Sequence, residues 1–361
     1  ELIMAKSPRR TNPLLAAKSK VSNPTQLGGI ETSVLDNGPG RGTRIAWVNT
    51  GSPLRYKVLI DRGLDIAEAF YGALSLSFLS YTGPTPPTRA LDGGMDWLKG
   101  FYGGLLCSCG PRHVGAPETV DGIDYGLHGM HSNTPAELEA ICRPDPAAGV
   151  DAMSITGVVR TAGMFGPNIQ LRRTISSELG SAAIHVHDEF LNRGNTPVRH
   201  CWLLHLNFGW PLVDKGSRLV YRGPLTPRAD SERWFADPAR YMVVPGPVQA
   251  HRGTGEACAF IDPPADRDGL CHVGVANERL GLAVEVAYPR RRFRRLVNWH
   301  HFGPGGEYVV GLEPISGGMA GCGVGAGRLA PGESRAYDCW LKVLTGDRKV
   351  GAFLKRWGPR A

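Results

Sequence analysis

The chain has 361 residues, a formal charge of +8 and a pI of about 9.1. It lacks an apolar run of the ~20 residues that a membrane-spanning helix needs, and it lacks the interleaved aromatic pattern of an RNA-binding module, so we expect neither a membrane nor a nucleic-acid partner. Its 48 glycines and 28 prolines are scattered between apolar runs, which favours a mainly β protein with many tight turns.

The first 25 residues are predicted to form a basic, polar arm. Glu1-Leu2-Ile3 precede Met4, and we expect them to be a remnant of cloning. No hydrophobic signal region follows the basic start, and the eight irregularly spaced cysteines do not suggest a disulfide framework. We therefore expect reduced thiols and a cytoplasmic protein.

Strand-like apolar runs follow one another along the rest of the chain, separated by glycine, proline and aspartate turns. They cover residues 44–48, 56–60, 152–160, 168–176, 182–191, 198–207, 218–221, 257–261, 271–276, 281–287, 307–313 and 335–344. Residues 92–98 predict a short helix. The strand spacing favours an all-β fold, a large antiparallel β-sandwich with a few short helices. Because no repeat and no long linker divides it, residues 26–361 are predicted to be a single domain.

Three segments place ionisable side chains among apolar or small residues. Glu313 follows the apolar run 308–312, at the mouth of a predicted buried strand. His128 and His205 lie in similar surroundings, each close to an asparagine. A carboxylate in such a place is either held by a partner or tuned for proton transfer. One acid and two imidazoles at separate strand ends therefore predict an acid–base site.

Five motifs stand in order along residues 45–345. They are Asp61-Arg62-Gly63-Leu64-Asp65-Ile66, Leu127-His128-Gly129, Asn133-Thr134-Pro135-Ala136-Glu137, His205-Leu206-Asn207-Phe208-Gly209-Trp210-Pro211-Leu212 and Gly311-Leu312-Glu313-Pro314. Together they resemble the DUF4432 branch of the aldose 1-epimerase (galactose mutarotase-like) superfamily. The resemblance implies a β-sandwich of the supersandwich type, with a sugar site on its concave face.

The resemblance also implies roles for individual residues. In the mutarotases a carboxylate takes the proton of the anomeric hydroxyl while a histidine donates one to the ring oxygen, and no cofactor is needed. Carried over by motif, Glu313 is the base, His205 the acid and His128 a second histidine at the ring-side hydroxyls. The further candidate substrate ligands are Arg62, Asp65, Asn133, Asn207, Trp299 and His301. The expected partner is a small sugar or an anionic sugar derivative, and self-association into a homo-oligomer stays open.

Two other functions remain open. His128, His131 and His300 together with Glu313 have the donor types of a divalent metal site, which would favour isomerisation or elimination on a keto-sugar. Alternatively, the chain is a carbohydrate-binding protein on an epimerase scaffold, without turnover, because a shared fold does not fix function.

Several further patterns lie outside these motifs. His185, His187 and Glu189 lie on one face of a predicted strand at a spacing that zinc can use. The arginine run 290–295 predicts an exposed edge strand, with one or two guanidinium groups available to an anionic substrate group. The glycine-rich run 317–327 lacks the spacing and lysine of a P-loop and predicts a loop. Candidate sugar-stacking rings are Trp299, Trp210, Trp202, Phe101 and Tyr102.

Overall fold

The computed structural model describes residues 14–15, 19–317 and 327–359. Most of the predicted basic arm, and residues 318–326 of the glycine-rich run, therefore lie outside the described residues. The described strands are β1 Gly29–Val34, β2 Arg44–Asn49, β3 Leu54–Leu59, β4 Asp65–Tyr71, β5 Leu74–Ser75, β6 Cys107–Cys109, β7 Glu118–Val120, β8 Ile123–Tyr125, β9 Ala136–Cys142, β10 Ala152–Ala162, β11 Asn168–Glu178, β12 Ala183–Asn192, β13 Val198–His200, β14 Leu203–Phe208, β15 Arg218–Val220, β16 Leu225–Pro227, β17 Ala257–Ile261, β18 Leu270–Asn277, β19 Leu282–Pro289, β20 Arg295–Phe302, β21 Tyr308–Ile315, β22 Gly327–Leu329 and β23 Ser334–Thr345.

Helical structure is confined to short segments. The two α-helices described are α1 Pro238–Tyr241 and α2 Asp347–Trp357. The 3₁₀ turns are Pro24–Gln26, Gly38–Gly40, Arg89–Leu91, Asp96–Gly100, His131–Asn133, Ala229–Trp234, Gln249–His251 and Glu278–Leu280. The helix predicted over 92–98 is thus a 3₁₀ turn that begins four residues later. None of the helices in the described part is long and apolar enough to cross a membrane.

Two large sheets form the layers of a sandwich. One has eight strands in the order β15-β18-β19-β23-β12-β11-β10-β9, and the other has six in the order β16-β17-β20-β21-β14-β6. Neighbouring strands pair antiparallel in both. The predicted all-β sandwich is therefore confirmed.

The main core lies between these sheets because side chains alternate along each strand. In β12, Ile184 and Val186 are buried in this core, whereas His185 and His187 face outward and are half-buried. In β14, Leu204 and Leu206 point into the same core from the other sheet. The largest buried cluster contains residues from across the described chain, and the single-domain boundary at 26–361 stays a prediction.

A five-stranded sheet, β1-β2-β3-β4-β5, continues the six-stranded layer beyond β6. An isolated bridge between Ile66 and Leu106 joins the two. The face of this wide layer that is turned away from the main core carries a second, smaller buried cluster, which includes Leu203 and Val297. Side chains on this second face are thus shielded from water without belonging to the interior of the sandwich.

Three expectations need correction. The predicted strand 198–207 is two strands, because Cys201 and Trp202 separate β13, which pairs with β22, from β14 in the six-stranded sheet. The arginine run does not form an edge strand. It turns between β19 and β20, and Arg290 and Arg295 pair with Asp262 there. Reduced thiols were expected throughout, but Cys201 is disulfide-bonded; six other cysteines in the described part are free.

Candidate functional site

Glu313 and His205 lie side by side on adjacent strands of the six-stranded sheet. β14 pairs with β21 so that Leu206 faces Leu312, and both leucines point into the main core. Because side chains alternate, Glu313 and His205 point to the opposite face. The His205 Nε2 and Glu313 Oε1 atoms are 3.3 Å apart. The strand pairing therefore brings together two groups that are 108 residues apart in sequence.

Aromatic rings surround the imidazole of His205. Its centroid lies 5.4 Å from the rings of Phe101 and Trp299, 6.1 Å from Trp97 and 5.7 Å from His128. Trp97 stacks on Phe101 at 4.6 Å, and Trp97 is buried. His205 itself is only 4% exposed. The rings exclude most water from the imidazole, while the half-buried Phe101 and Trp299 keep part of their surface open.

Burial sets the protonation of the pair. It raises the pKa of the Glu313 carboxyl well above its usual range, and the nearby charge of Glu256 raises it further. Burial lowers the pKa of His205 to about 4, against a smaller opposing effect of the Asn207 side chain. Burial therefore favours the uncharged form of each group, the protonated carboxyl of Glu313 and the neutral imidazole of His205.

Three buried polar atoms at the site lack hydrogen bonds within the described part of the chain. Glu313 Oε1, His205 Nδ1 and Asn207 Oδ1 are buried and have no hydrogen-bond partner there. Native proteins leave few buried polar atoms unsatisfied, and those that remain are often found where a ligand binds or chemistry occurs. The site therefore has polar atoms that can form hydrogen bonds with a bound ligand.

Glu256 is a site neighbour that the sequence analysis missed. It immediately precedes β17, whose Cys258 pairs with Trp299 of β20. The Trp299 indole N–H donates to Glu256 Oε2 at 2.6 Å, and Arg228 Nη2 donates to Glu256 Oε1 at 2.7 Å. Glu256 thus fixes the ring of Trp299 and contributes negative charge near Glu313. No motif marks it, because its role depends on a strand pairing.

His128 approaches the pair from a loop. Its backbone is in the left-handed region at φ +59°, and Gly129 follows at φ +68°. A Cβ at Gly129 would lie 2.7 Å from the Gly110 carbonyl oxygen, so only glycine fits there. The Gly115 N–H donates to His128 Nδ1 at 3.2 Å, and the ring packs 4.7 Å from Trp97. Burial and the neighbouring His205 lower the pKa of His128 well below its usual value.

Arg62, a predicted substrate ligand, is bound by groups within the protein. Its side chain is 1% exposed. The guanidinium donates to the carbonyl oxygens of Ser132 at 2.6 Å, Gly100 at 2.8 Å and Thr85 at 3.0 Å. It also lies over the Tyr102 ring at 5.0 Å. Arg62 therefore joins three loops to one another.

Asp65 is likewise part of the interior. It is fully buried and accepts hydrogen bonds from Arg173 Nη1 at 2.5 Å, from Ser108 Oγ at 2.6 Å and from the Ser108 N–H at 2.8 Å. Arg173 also donates from Nε to Asp188 Oδ1 at 2.7 Å, and Trp202 Nε1 donates to Asp188 Oδ2 at 2.9 Å. Asp65, Arg173 and Asp188 thus form a buried ionic triad, which leaves Asp65 unavailable to a substrate.

Asn133 and His301 are also satisfied within the protein. The Asn133 side chain donates to the Thr88 carbonyl, and its Oδ1 accepts from the Thr88 N–H at 2.9 Å. His301 Nε2 lies 2.9 Å from the Gly253 carbonyl, and the Gly303 N–H donates to His301 Nδ1 at 3.1 Å. Both residues hold loops in this way, and their role as substrate ligands stays a prediction.

Asn207 and the predicted sugar-stacking rings differ in whether they lie in the core or at the site. The Asn207 amide donates to the carbonyl oxygens of Gly104 and His205, both at 3.0 Å, which supports the strand that carries His205. Trp202 and Tyr102 are fully buried, whereas Trp210 is 68% exposed. Of the five predicted rings, Trp299 and Phe101 are the two that contact His205.

The metal set predicted around Glu313 is not assembled. His131 lies 3.1 Å from the Gly63 carbonyl through Nε2 and packs against Trp202. His300 faces the other side of β20 from Trp299 and packs on Phe302 at 4.7 Å. Within the described part of the chain, the group that could hold a metal is a different one, His185, His187 and Asp338. The carboxylate of that group comes from Asp338 and not from the predicted Glu189.

The two-layer antiparallel sandwich of this chain is the fold of solved galactose mutarotase-like proteins. A model of the DUF4432 family, described as a domain of unknown function, matches residues 40–343. The chain belongs to this family, as the sequence predicted. No curated protein matches it.

Solved structures show the same fold at low sequence identity. A candidate aldose 1-epimerase from Klebsiella pneumoniae is 22% identical, with a TM-score of 0.81 over 94% of this chain and 89% of that one. A galactose mutarotase-like protein from Clostridium acetobutylicum is 12% identical, with a TM-score of 0.63 over 89% of this chain and all of that one. A galactose 1-epimerase from Lactobacillus acidophilus is 10% identical, with a TM-score of 0.57 over 88% and 99%. At these identities the likeness establishes the fold.

Proposed function

We propose that this protein is a cofactor-free sugar isomerase of the aldose 1-epimerase type, with Glu313 as base and His205 as acid. The observation that carries the proposal is the buried pair on β14 and β21, 3.3 Å apart and with unsatisfied polar atoms. The names of structurally similar proteins, among them a galactose 1-epimerase, agree with this class of reaction.

One proton shared by Glu313 and His205 is sufficient for the reaction. Sugar hydroxyls donate hydrogen bonds to Glu313, and hydrogen bonds to the charged form of an acid lower its pKa. Binding therefore moves the proton from Glu313 to His205. Glu313 then accepts the proton of the anomeric hydroxyl while His205 gives its proton to the ring oxygen, so the ring opens. After rotation about C1–C2, the reverse transfers close the ring to either anomer.

The surrounding rings suit a sugar substrate. Phe101 and Trp299 flank His205 and remain half-buried, so each offers apolar surface to the C–H face of a pyranose. Trp299 is held in place by its hydrogen bond to Glu256. His128, beside His205, has a pKa well below its usual value, so it is a neutral hydrogen-bonding group for a ring-side hydroxyl.

The proposal is tested by anomer exchange. Two-dimensional NMR exchange spectroscopy on a panel of reducing sugars measures the exchange rate with wild-type protein and with Glu313→Gln. The variant should lose at least ~10²-fold, since positioned acid–base catalysis supplies roughly 10²–10⁴-fold. Glu139→Gln is the matched control, because Glu139 lies on the opposite sheet in an exposed pair with Arg172. Its rate should equal that of the wild type.

Two outcomes would reject this assignment. Wild-type exchange rates in a natively folded Glu313→Gln variant would remove Glu313 from the mechanism. Saturable sugar binding by the wild type without exchange, epimerisation or elimination across the panel would instead favour the carbohydrate-binding alternative. Near-ultraviolet circular dichroism of both variants establishes that they are folded.

A further inference from the structure

A second cluster of functional side chains lies on the outer face of the eight-stranded sheet. His185 and His187 of β12 and Asp338 of β23 all point away from the main core, because Val186 and Cys339 beside them point into it. The cluster therefore belongs to the opposite layer from Glu313, and its chemistry does not depend on the sugar isomerase activity.

The strand pairing determines the geometry of this cluster. His187 is directly opposite Asp338 in the antiparallel register. His187 Nδ1 lies 2.8 Å and His185 Nε2 lies 2.9 Å from the same Asp338 oxygen, Oδ1. One donor atom from each of the three residues lies within 4.8 Å of the other two. Two imidazoles thus converge on a single carboxylate oxygen.

The cluster is both rigid and accessible. β12 and β23 are interior strands of the sheet, each paired on both sides. The His185 ring stacks on Trp340 at 4.8 Å with the planes only 8° apart, which fixes the orientation of the imidazole. The three side chains are 29–40% exposed. Small side-chain rotations would let an ion enter between them without moving the backbone.

We propose that His185, His187 and Asp338 bind a divalent transition-metal ion of the zinc, nickel or copper class. Imidazole nitrogens with one carboxylate oxygen are the donor set that such ions prefer over magnesium or calcium. Zinc sites with three protein ligands leave a fourth position for water or another ligand. Glu189, two residues beyond His187 on the same face, adds negative charge near the ion.

A surface depression borders the site at Asp338. Asp338 and Trp340 line a cavity of about 620 Å³ together with Arg290, Arg291 and Arg294. These arginines oppose the charge of a bare cation, so an anionic group is the favoured additional ligand of the ion. This also gives the arginine run a location: it lies beside this depression on the outer face of the eight-stranded sheet.

A similar cluster in the same sheet serves as an internal control. His272 lies 2.9 Å from Asp266 through Nε2 and 2.9 Å from Glu285 through Nδ1. Each ring nitrogen there has its own carboxylate, so a protonated imidazole satisfies the group without an ion. The control cluster has one imidazole and two carboxylates, whereas two imidazoles share one carboxylate oxygen at Asp338.

The test is calorimetric titration of metal-free, full-length protein with Zn²⁺ and Ni²⁺, and with Mg²⁺ as a hard-cation control. Zn²⁺ and Ni²⁺ should bind near one equivalent, and Mg²⁺ should give no comparable signal. Asp338→Asn and His187→Gln should each weaken binding by at least ~10-fold, since even changes around the direct ligands have effects of 10–100-fold. Asp266→Asn, in the control cluster, should leave binding unchanged.

Several results would overturn the proposal: no one-to-one binding of Zn²⁺ or Ni²⁺, equal binding of Mg²⁺, or wild-type affinity in both ligand variants. Should either ligand variant fail to fold, the melting temperature of the wild type supplies a second measurement. It should rise with added Zn²⁺ in the wild type and in Asp266→Asn, because an ion that binds only the folded state stabilises it. A melting temperature that does not respond to Zn²⁺ would also refute the site.

Discussion

Replacing Arg173 by methionine tests the buried ionic triad. Methionine keeps the apolar stem of the side chain but removes the donors that bind Asp65 and Asp188, which are 0% and 1% exposed. Removing one partner of a buried ion pair costs about 3–5 kcal/mol, because the remaining charge is left without compensation. Here two carboxylates lose their shared cation, so we expect a loss of at least about 3 kcal/mol in the free energy of unfolding.

The assay is guanidinium denaturation at pH 7, followed by tryptophan fluorescence. Arg172→Met is the matched control, since this neighbouring residue of β11 points outward and pairs with Glu139 at the surface. An exposed pair is worth about 0.2–1 kcal/mol, so the control should change little. If Arg173→Met stays within about 1 kcal/mol of the wild type, the triad does not hold the interior together. Should that variant fail to fold, Asp65→Asn should still lose about 1–3 kcal/mol.

Two predictions concern pH. Anomer exchange should persist down to about pH 4 as long as near-ultraviolet circular dichroism stays native, because burial lowers the pKa of His205 to about 4; an acid limb near 6.5 would contradict this. Burial also lowers the pKa of His200 and of His300 to about 3. Below the ordinary pKa of ~6.5 these histidines bind more protons in the unfolded chain than in the folded one. They should therefore lower the free energy of unfolding from pH 7 to pH 4.5, by at most about 1.4 kcal/mol per pH unit for each histidine, as measured by denaturation. Substituting His200 or His300 by Gln should reduce this pH dependence, and an unchanged dependence in both variants would contradict the prediction.

Much of the β structure could be predicted from local patterns. The strand predicted over 257–261 is β17, and the other predicted strands apart from 198–207 begin and end within two residues of the observed ones. The prediction of a single strand over 198–207 was wrong for a physical reason. The middle residues of this segment, 201–204, are apolar, so no polar residue marks the change of partner at Cys201. Pairing is decided by distant strands, and a local pattern contains no information about them.

The candidate site was predictable to a different extent for each residue. Glu313 and His205 were identified because acid and imidazole groups within apolar strands are unusual, and the structure brings them together. Arg62 and Asp65 also stand out in the sequence for charge next to a buried run. They turn out to be interior residues, because the partner of Asp65 is Arg173, 108 residues away on another sheet. Sequence proximity to apolar residues signals burial of a charge, but it does not separate catalysis from structure.

The buried triad also supports the candidate site, because strand β6 contacts both. Asp65 accepts both the backbone N–H and the hydroxyl of Ser108, which is the central residue of β6. In the pairing of β6 with β14, Ser108 is opposite Leu204 and Cys107 is opposite His205. By holding Ser108, Asp65 fixes the position of the strand against which His205 is aligned, while β21 on the other side of β14 carries Glu313. The motif that contains Asp65 therefore supports the acid–base pair from the interior of the sandwich, without contacting a substrate.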